Sequence, residues 1–140
     1  MTGQQRGFTL IEIMVVLVII SLLAVLIVPS VMDRPDEARI IKAQQDIRAI
    51  ESALKLYRLD NLRYPTQAEG LQALQQPPPS AKNWKGPYVD GLPADPWDAP
   101  YRYRIPGAEG RRMDVFTYGA DNREGGQGPD ADIGSWTLDQ

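Results

Sequence analysis

The pattern of hydrophobic and polar positions divides the chain into three parts. Residues 8–28 form a nearly unbroken apolar run in which Glu12 is the only charged residue. Residues 36–60 place apolar side chains three and four positions apart, with charges between them, as in an amphipathic helix. From Asn61 onward proline and glycine become frequent, which favours turns and short elements. The pattern predicts two helical segments followed by a small mixed domain.

The apolar run predicts a transmembrane helix. Its 21 residues would form roughly 32 Å of helix, against a hydrocarbon core of about 30 Å. Arg6 and the amino terminus place positive charge before the run, which predicts a cytoplasmic N-terminus. A removed signal peptide is the alternative, but the run exceeds the usual apolar region and no small-residue cleavage site follows it. We therefore expect a leader at residues 1–7, a transmembrane helix at 8–28 and an exported domain at 29–140.

Glu12 needs a physical explanation, because a carboxylate in hydrocarbon costs about 2.5–3.5 kcal/mol on insertion scales. Two interpretations remain open. Either Glu12 lies close enough to the interface to reach water, or it pairs with a positive charge on a neighbouring subunit when helices pack together.

The amphipathic segment is predicted to cover the core of its own domain. A coiled coil is the weaker interpretation, because the repeat lasts less than four heptads. Two prolines, Pro29 and Pro35, predict a bend or loosening between the helical segments. The apolar stripe of the segment consists of Ile40, Ala43, Ile47, Ile50, Leu54 and Tyr57.

Short elements are expected after the long helices. Thr66 and Glu69 have the spacing of a capping box, which predicts a brief helix over Thr66–Gln75. Two strands, Tyr101–Ile105 and Met113–Tyr118, flank a turn-forming segment and predict a hairpin with alternate faces buried. The aromatic residues of this region are expected to fill the small core.

Composition excludes several classes of function. The chain has 15 Lys and Arg against 18 Asp and Glu, so its net charge of −3 offers no basic surface for nucleic acid. It contains no His and no Cys, which removes the common zinc ligands, thiol nucleophiles and disulfides. A membrane-tethered enzyme or binding module remains an alternative, but no acid/base pair or nucleophile motif can be named for it.

The C-terminal loop is acidic and rich in glycine. Asp121, Asp130 and Asp132 lie within a segment that could offer carboxylate and carbonyl oxygens to Ca²⁺. The spacing is not that of an EF-hand, and composition alone favours a solvated acidic turn.

The sequence RGFTLIE at residues 6–12 resembles the processing signal of type IV pilins and pseudopilins. The resemblance implies that a prepilin peptidase cuts between Gly7 and Phe8 and N-methylates Phe8. It also implies that Glu12, the fifth residue after the cut, meets the amino terminus of an adjacent subunit during assembly.

Later segments are similar to the major pseudopilins of type II secretion systems. Asp98 stands where that family commonly has Gly, and Ser135 stands where Asn is common. The resemblance implies an α+β fold of the type IV pilin-like class, with a long N-terminal helix packed on a small antiparallel sheet and a calcium-binding C-terminal loop. The similar segments are LDN at 59–61, YPT at 64–66, EGL at 69–71, AL at 73–74, LPADPW at 92–97, PY at 100–101, GAD at 119–121 and DIGSW at 132–136.

The implied function is that of a subunit that polymerises into the periplasmic pseudopilus of a type II secretion system, and not that of an enzyme. The alternative is a type IV pilin of an adhesion or DNA-uptake filament, but such pilins usually carry a C-terminal Cys pair that is absent here. The resemblance implies a structural Ca²⁺ held by Asp121, Asp130, Asp132 and a carbonyl near Tyr118.

The resemblance also implies partners and a location. Expected partners are further copies of the chain, minor pseudopilins, the prepilin peptidase, the inner-membrane assembly platform and membrane lipid, without nucleic acid. The expected location is the inner membrane, with a single pass and a periplasmic C-terminal domain.

Overall fold

The chain divides into two compact units, Met1–Asp36 and Glu37–Gln140. The computed structural model describes residues 3, 7–32 and 34–138, and only the backbone of residues 26–32 and 34. Helix α1 spans Leu10–Met32. Across the described residues, no helix combines the length and the apolar character that crossing a membrane requires. The side chains of residues 26–28 lie outside the described part, and the transmembrane helix at 8–28 stays a prediction.

Helix α2 spans Arg34–Asn61. Pro35 is its second residue, a position that tolerates proline because the first N–H groups of a helix have no partner within it. The bend predicted between Pro29 and Pro35 falls on residue 33, which lies outside the described residues, and on neighbours described by backbone alone. It also stays a prediction.

The apolar stripe of α2 packs into the core of its own domain, which confirms that interpretation. Ala43, Ile47, Leu54 and Tyr57 have no exposed surface. The same cluster contains Tyr101, Tyr103, Val115 and Ile133. One helix therefore supplies a large part of the core of the domain.

The short helix predicted at Thr66–Gln75 is wrong in its type and length. Residues 67–70 form turns, and a 3₁₀ helix covers only Leu71–Leu74. Gly70, with φ of 56°, lies in the left-handed region and separates the two. The capping box itself is confirmed: the Thr66 N–H donates to Glu69 Oε2 at 2.7 Å, and the Glu69 N–H donates to Thr66 Oγ1 at 3.3 Å.

The sheet is antiparallel in the order β1-β2-β3. Strand β1 is Arg102–Arg104, β2 is Asp114–Thr117 and β3 is Ile133–Gly134. Tyr103 pairs with Val115, which confirms the predicted hairpin, and Phe116 pairs with Gly134. The sequence did not reveal β3, because two residues are too few to show a period. Together with the helices, the sheet confirms the α+β class.

Alternate burial along β2 is a wrong prediction, because all four of its residues are buried. Strand β2 is the central strand, and aromatic and basic side chains cover its outer face. The Phe116 ring lies 5.6 Å from the Trp136 ring, and the Arg104 guanidinium lies 5.3 Å from the Phe116 ring. Period-two burial requires one solvated face, which β2 lacks.

A buried carboxylate at the start of β2 binds the end of β1 and the loop that connects the two strands. Asp114 is fully buried and accepts hydrogen bonds from Arg104 Nη2 at 2.6 Å, Arg111 Nε at 2.7 Å and the Ala108 N–H at 2.8 Å. Burial by itself raises the pKa of Asp114, but the hydrogen bonds from Arg111, Ala108 and Arg104 outweigh it, so the pKa lies below its ordinary value.

Glu69 stabilises the segment that follows α2. Arg63 binds its carboxylate through two hydrogen bonds, Nη1 to Oε2 at 2.7 Å and Nη2 to Oε1 at 2.9 Å, and the Ser80 hydroxyl donates to the same group. The Glu69 side chain is 13% exposed. Mainly through the hydrogen bonds from Arg63, the pKa of Glu69 falls from 4.5 to about 2.

We expect Glu69→Gln to lower the free energy of unfolding of residues 37–140 by roughly 3 kcal/mol at pH 7, because each pKa unit by which folding lowers the pKa of Glu69 is worth about 1.4 kcal/mol. Because the folded pKa of about 2 lies below the ordinary 4.5, the stabilisation is complete above pH 4.5 and disappears as the pH falls toward 2. Chemical denaturation at several pH values from 7 to 2.5 would show whether the free energies of unfolding of the parent and of Glu69→Gln become equal at low pH. Glu124→Gln, at an exposed acid, is the control. A stability difference between the parent and Glu69→Gln that does not change with pH would contradict the lowered pKa of Glu69.

Candidate functional site

The predicted processing residues precede α1. Gly7 and Phe8 lie outside regular secondary structure, and Phe8 is 80% exposed. A Cβ added at Gly7 would meet no heavy atom within 4 Å among the described residues. Packing within the described chain therefore does not require glycine at position 7.

Glu12 has a role that the sequence analysis missed. The Glu12 N–H donates to Thr9 Oγ1 at 3.3 Å, and the Thr9 N–H donates to Glu12 Oε2 at 3.4 Å. This is a capping box at the start of α1, and its signal, Thr-x-x-Glu before an apolar run, is present in the sequence. Both bonds are longer than the usual N–H···O range, so a cation could compete for the carboxylate.

The acidic loop folds back on itself. The Ala120 N–H donates to the Pro129 carbonyl at 2.9 Å, which brings the two ends of the loop together. At Gly119, φ is +74°, and an added Cβ would lie 2.7 Å from the Pro129 oxygen and 2.8 Å from the Ala131 oxygen. Only a glycine allows this approach without displacing the backbone.

The three predicted acidic ligands have separate surroundings. Asp121 Oδ1 accepts a hydrogen bond from the Arg123 N–H at 3.0 Å, and both carboxylate oxygens of Asp132 accept from the Gly125 N–H, at 3.0 and 3.1 Å. Asp130 is exposed. Within the part of the chain that the structure describes, no group of three or more acidic side chains is placed to hold a metal ion.

Two backbone carbonyls of this loop lie close to Gly119, although the carboxylates are not gathered at one point. The carbonyls of Pro129 and Ala131 face Gly119, and sequence reasoning did not identify them. Carboxylate and carbonyl oxygens are the donors that Ca²⁺ prefers. Tyr118 contributes its ring to packing, 5.3 Å from the Phe116 ring and 4.6 Å from the Arg102 guanidinium. The donor chemistry fits Ca²⁺, while the positions of the three acidic side chains would have to change.

Comparisons with known proteins agree over nearly the whole chain. Residues 30–136 match the family described as type II secretion system protein G, and residues 3–28 match the prokaryotic N-terminal methylation motif. The chain is 53% identical over 137 residues to type II secretion system core protein G of Pseudomonas aeruginosa, covering 95% of this chain and 96% of that protein. Identity to core protein G of Vibrio cholerae is 48% over 138 residues, covering 96% and 94%.

A solved structure has a similar fold. It is the crystal structure of the major pseudopilin from the type 2 secretion system of enterohaemorrhagic Escherichia coli, with a TM-score of 0.66 and 40% identity. The match covers 76% of this chain and 94% of that chain.

We expect Gly119→Ala to destabilise the domain by about 3 kcal/mol, because a left-handed backbone and a contact with two carbonyls both oppose the added methyl group. Gly125→Ala is the control, since φ there is +91° but the added Cβ would meet no atom within 4 Å. It should cost about 1–2 kcal/mol. Thermal unfolding measures the loss of stability in both variants. Equal losses would show that the contact with the two carbonyls at Gly119 does not add to the destabilisation.

Proposed function

This chain belongs to the type II secretion system protein G family, and on that premise we propose that it polymerises with its own copies into a periplasmic pseudopilus that helps to drive protein export. The family match over residues 30–136 carries this proposal. The protein is a structural subunit of the secretion system and not an enzyme. The similarity to a major pseudopilin structure favours this function over that of a type IV pilin.

We also propose that residues 8–28 stay in the inner membrane as a single-pass anchor, with the following domain in the periplasm. The apolar run and the methylation motif over residues 3–28 support this. Prepilin peptidase would cut between Gly7 and Phe8 and methylate Phe8. Minor pseudopilins, the inner-membrane assembly platform and membrane lipid are the further partners that this function requires.

Glu12 would change partner during assembly. In the described chain it caps its own helix through two long hydrogen bonds. The amino terminus of Phe8 on a neighbouring subunit would offer a full positive charge, and a charge pair in a low-dielectric helix bundle is stronger than a neutral N–H donor. This exchange of partners would stabilise the assembled subunit. In an unassembled subunit, Glu12 would continue to cap its own helix.

A structural Ca²⁺ in the C-terminal loop is the second part of the proposal. Asp121 and Asp132 would hold the ion, with Asp130 and a carbonyl near Tyr118 as further ligands. Asp121 and Asp132 now accept hydrogen bonds from the N–H groups of Arg123 and Gly125, and binding of the ion would break these hydrogen bonds. The ion would neutralise the charges of the carboxylates. Because it would bind the folded loop and not the unfolded chain, it would stabilise the native state.

We expect Glu12→Ala and Glu12→Gln to enter the membrane as well as the parent chain but to reduce filament yield at least about tenfold. The glutamine variant keeps an oxygen that can cap the Thr9 N–H and loses only the charge, so it separates charge pairing from helix capping. Membrane fractionation and recovery of sheared filaments measure the two effects. Normal filament yield from Glu12→Gln would refute the charge pair, and no filaments from the parent chain in a secretion-competent cell would refute the proposed function.

We expect Ca²⁺ at 100 times its dissociation constant to stabilise the soluble domain by about 2.7 kcal/mol. Asp121→Ala should behave like the chelated protein even when Ca²⁺ is present, whereas Glu124→Ala, an acid in the same loop outside the proposed ligand set, should retain the response. Mg²⁺ should substitute poorly because it demands octahedral geometry and keeps its waters. Identical thermal melts with Ca²⁺ and with chelator would show that the loop is only a solvated turn.

A further inference from the structure

The first strand of the sheet has a free edge that the proposed function does not account for. In the order β1-β2-β3, one side of β1 pairs with β2, and the other side has no strand beside it among the described residues. The N–H and C=O groups of such an edge can pair with another extended segment, so proteins shorten, charge or cover it. Strand β3, at the opposite edge, is only two residues long. Strand β1 is therefore the edge that needs protection.

A glutamine side chain occupies this edge. Gln67 Nε2 donates to the Tyr103 carbonyl at 2.8 Å, and the Ile105 N–H donates to Gln67 Oε1 at 3.0 Å. A residue of a neighbouring parallel strand makes the same two hydrogen bonds through its backbone, because its N–H and C=O bind residues that are two positions apart. The Gln67 carboxamide thus has both the chemistry and the position of one peptide group of an added strand.

The structure around Gln67 fixes its position. Gln67 begins the turn of residues 67–70, which the capping box described above stabilises. The Tyr103 hydroxyl donates to the Pro65 carbonyl at 2.8 Å, so the segment before the turn is bound to the same strand. Gln67 is itself exposed, and its two hydrogen bonds to β1, rather than burial, account for its position.

Without Gln67, the edge of β1 could accept β1 of a second copy. Alternate residues of a strand direct their N–H and C=O groups to the same side, so Tyr103 directs both of its groups to this edge. Two antiparallel β1 strands would exchange these hydrogen bonds between their Tyr103 residues across a two-fold axis. An open groove of about 320 Å³, lined by Gln67, Tyr101 and Tyr103 among others, lies beside the strand. Arg104 pairs with the buried Asp114 at 2.6 Å, so its charge would oppose this contact little.

Such a contact would compete with polymerisation. A two-fold contact uses the same surface on both copies and closes a dimer, whereas a filament grows through contacts that do not close. We propose that the Gln67 side chain is an edge plug, which occupies the pairing groups of β1 and prevents the β1 strands of two copies from joining. The edge plug is a property of the folded domain, and only its consequence for filaments rests on the proposed function.

Two substitutions of Gln67 separate edge pairing from loss of stability. Gln67→Ala and Gln67→Lys both remove the carboxamide, and thermal unfolding should show similar losses of stability. Alanine leaves the edge open, whereas the charge of a lysine at an edge opposes strand addition. In detergent, the full-length Gln67→Ala chain should form dimers at concentrations at which the parent and Gln67→Lys do not, as measured by light scattering after gel filtration.

The matched control is Gln72→Ala, at another exposed glutamine that lines the same groove. It should associate no more than the parent. Equal association of Gln67→Ala and Gln67→Lys would overturn the proposal, because lost stability rather than an open edge would then explain it. Absence of additional association in Gln67→Ala would overturn it as well.

Hydrogen exchange identifies the surface through which the copies join. In dilute Gln67→Ala, the Ile105 N–H should exchange at least about tenfold faster than in the parent, because its acceptor is lost. Raising the protein concentration should slow the exchange of the Ile105 and Tyr103 N–H groups, since a second β1 supplies acceptors. Dimers without this protection would place the contact elsewhere and overturn the proposal. If the parent forms no filaments in cells, the proposed function fails, and these measurements still decide the edge plug.

Discussion

The buried apolar stripe of α2 is the contact on which the rest of the described domain depends. The three strands are too short to be stable by themselves, since a small sheet needs another element to cover its apolar face. Ile47, Leu54 and Tyr57 provide that cover, and Tyr103 and Val115 pack in the same cluster. The helix therefore supplies a large part of the core of the domain.

Carboxylates hold the loops in a chain that has no disulfides. Asp95 is buried and accepts hydrogen bonds from the N–H groups of Trp97 and Ala99, while the Thr117 hydroxyl donates to its other oxygen. In a similar way, Asp114 binds the end of β1 and the loop between β1 and β2. Each buried carboxylate is satisfied by several donors, which is the condition under which such groups do not destabilise a core.

Glu12, which carries the proposed assembly function, makes only weak hydrogen bonds within the described chain. The Glu12 carboxylate accepts one hydrogen bond of 3.4 Å from the Thr9 N–H, and the Glu12 N–H donates another of 3.3 Å to Thr9 Oγ1. In a subunit that must exist both alone and in a filament, such local departures from good packing are expected where the neighbouring copy binds.

The sequence by itself determined the features that depend on neighbouring positions along the chain. The stripe of α2 follows from residues three and four apart, and the Thr66–Glu69 capping box follows from a spacing of three. The family motifs are likewise continuous stretches. The turn at Asp98, where φ is +66°, coincides with a position where the resemblance implies a glycine.

Only the tertiary structure decided what depends on residues far apart in sequence. Complete burial of β2 required the ring of Trp136, and strand β3 exists only because Ile133 and Gly134 reach β2. Asp121 and Asp132 are close in sequence, yet backbone N–H groups of the loop give them separate partners. Periodicity records local geometry, whereas contacts across long loops are set by packing, which a single sequence does not display.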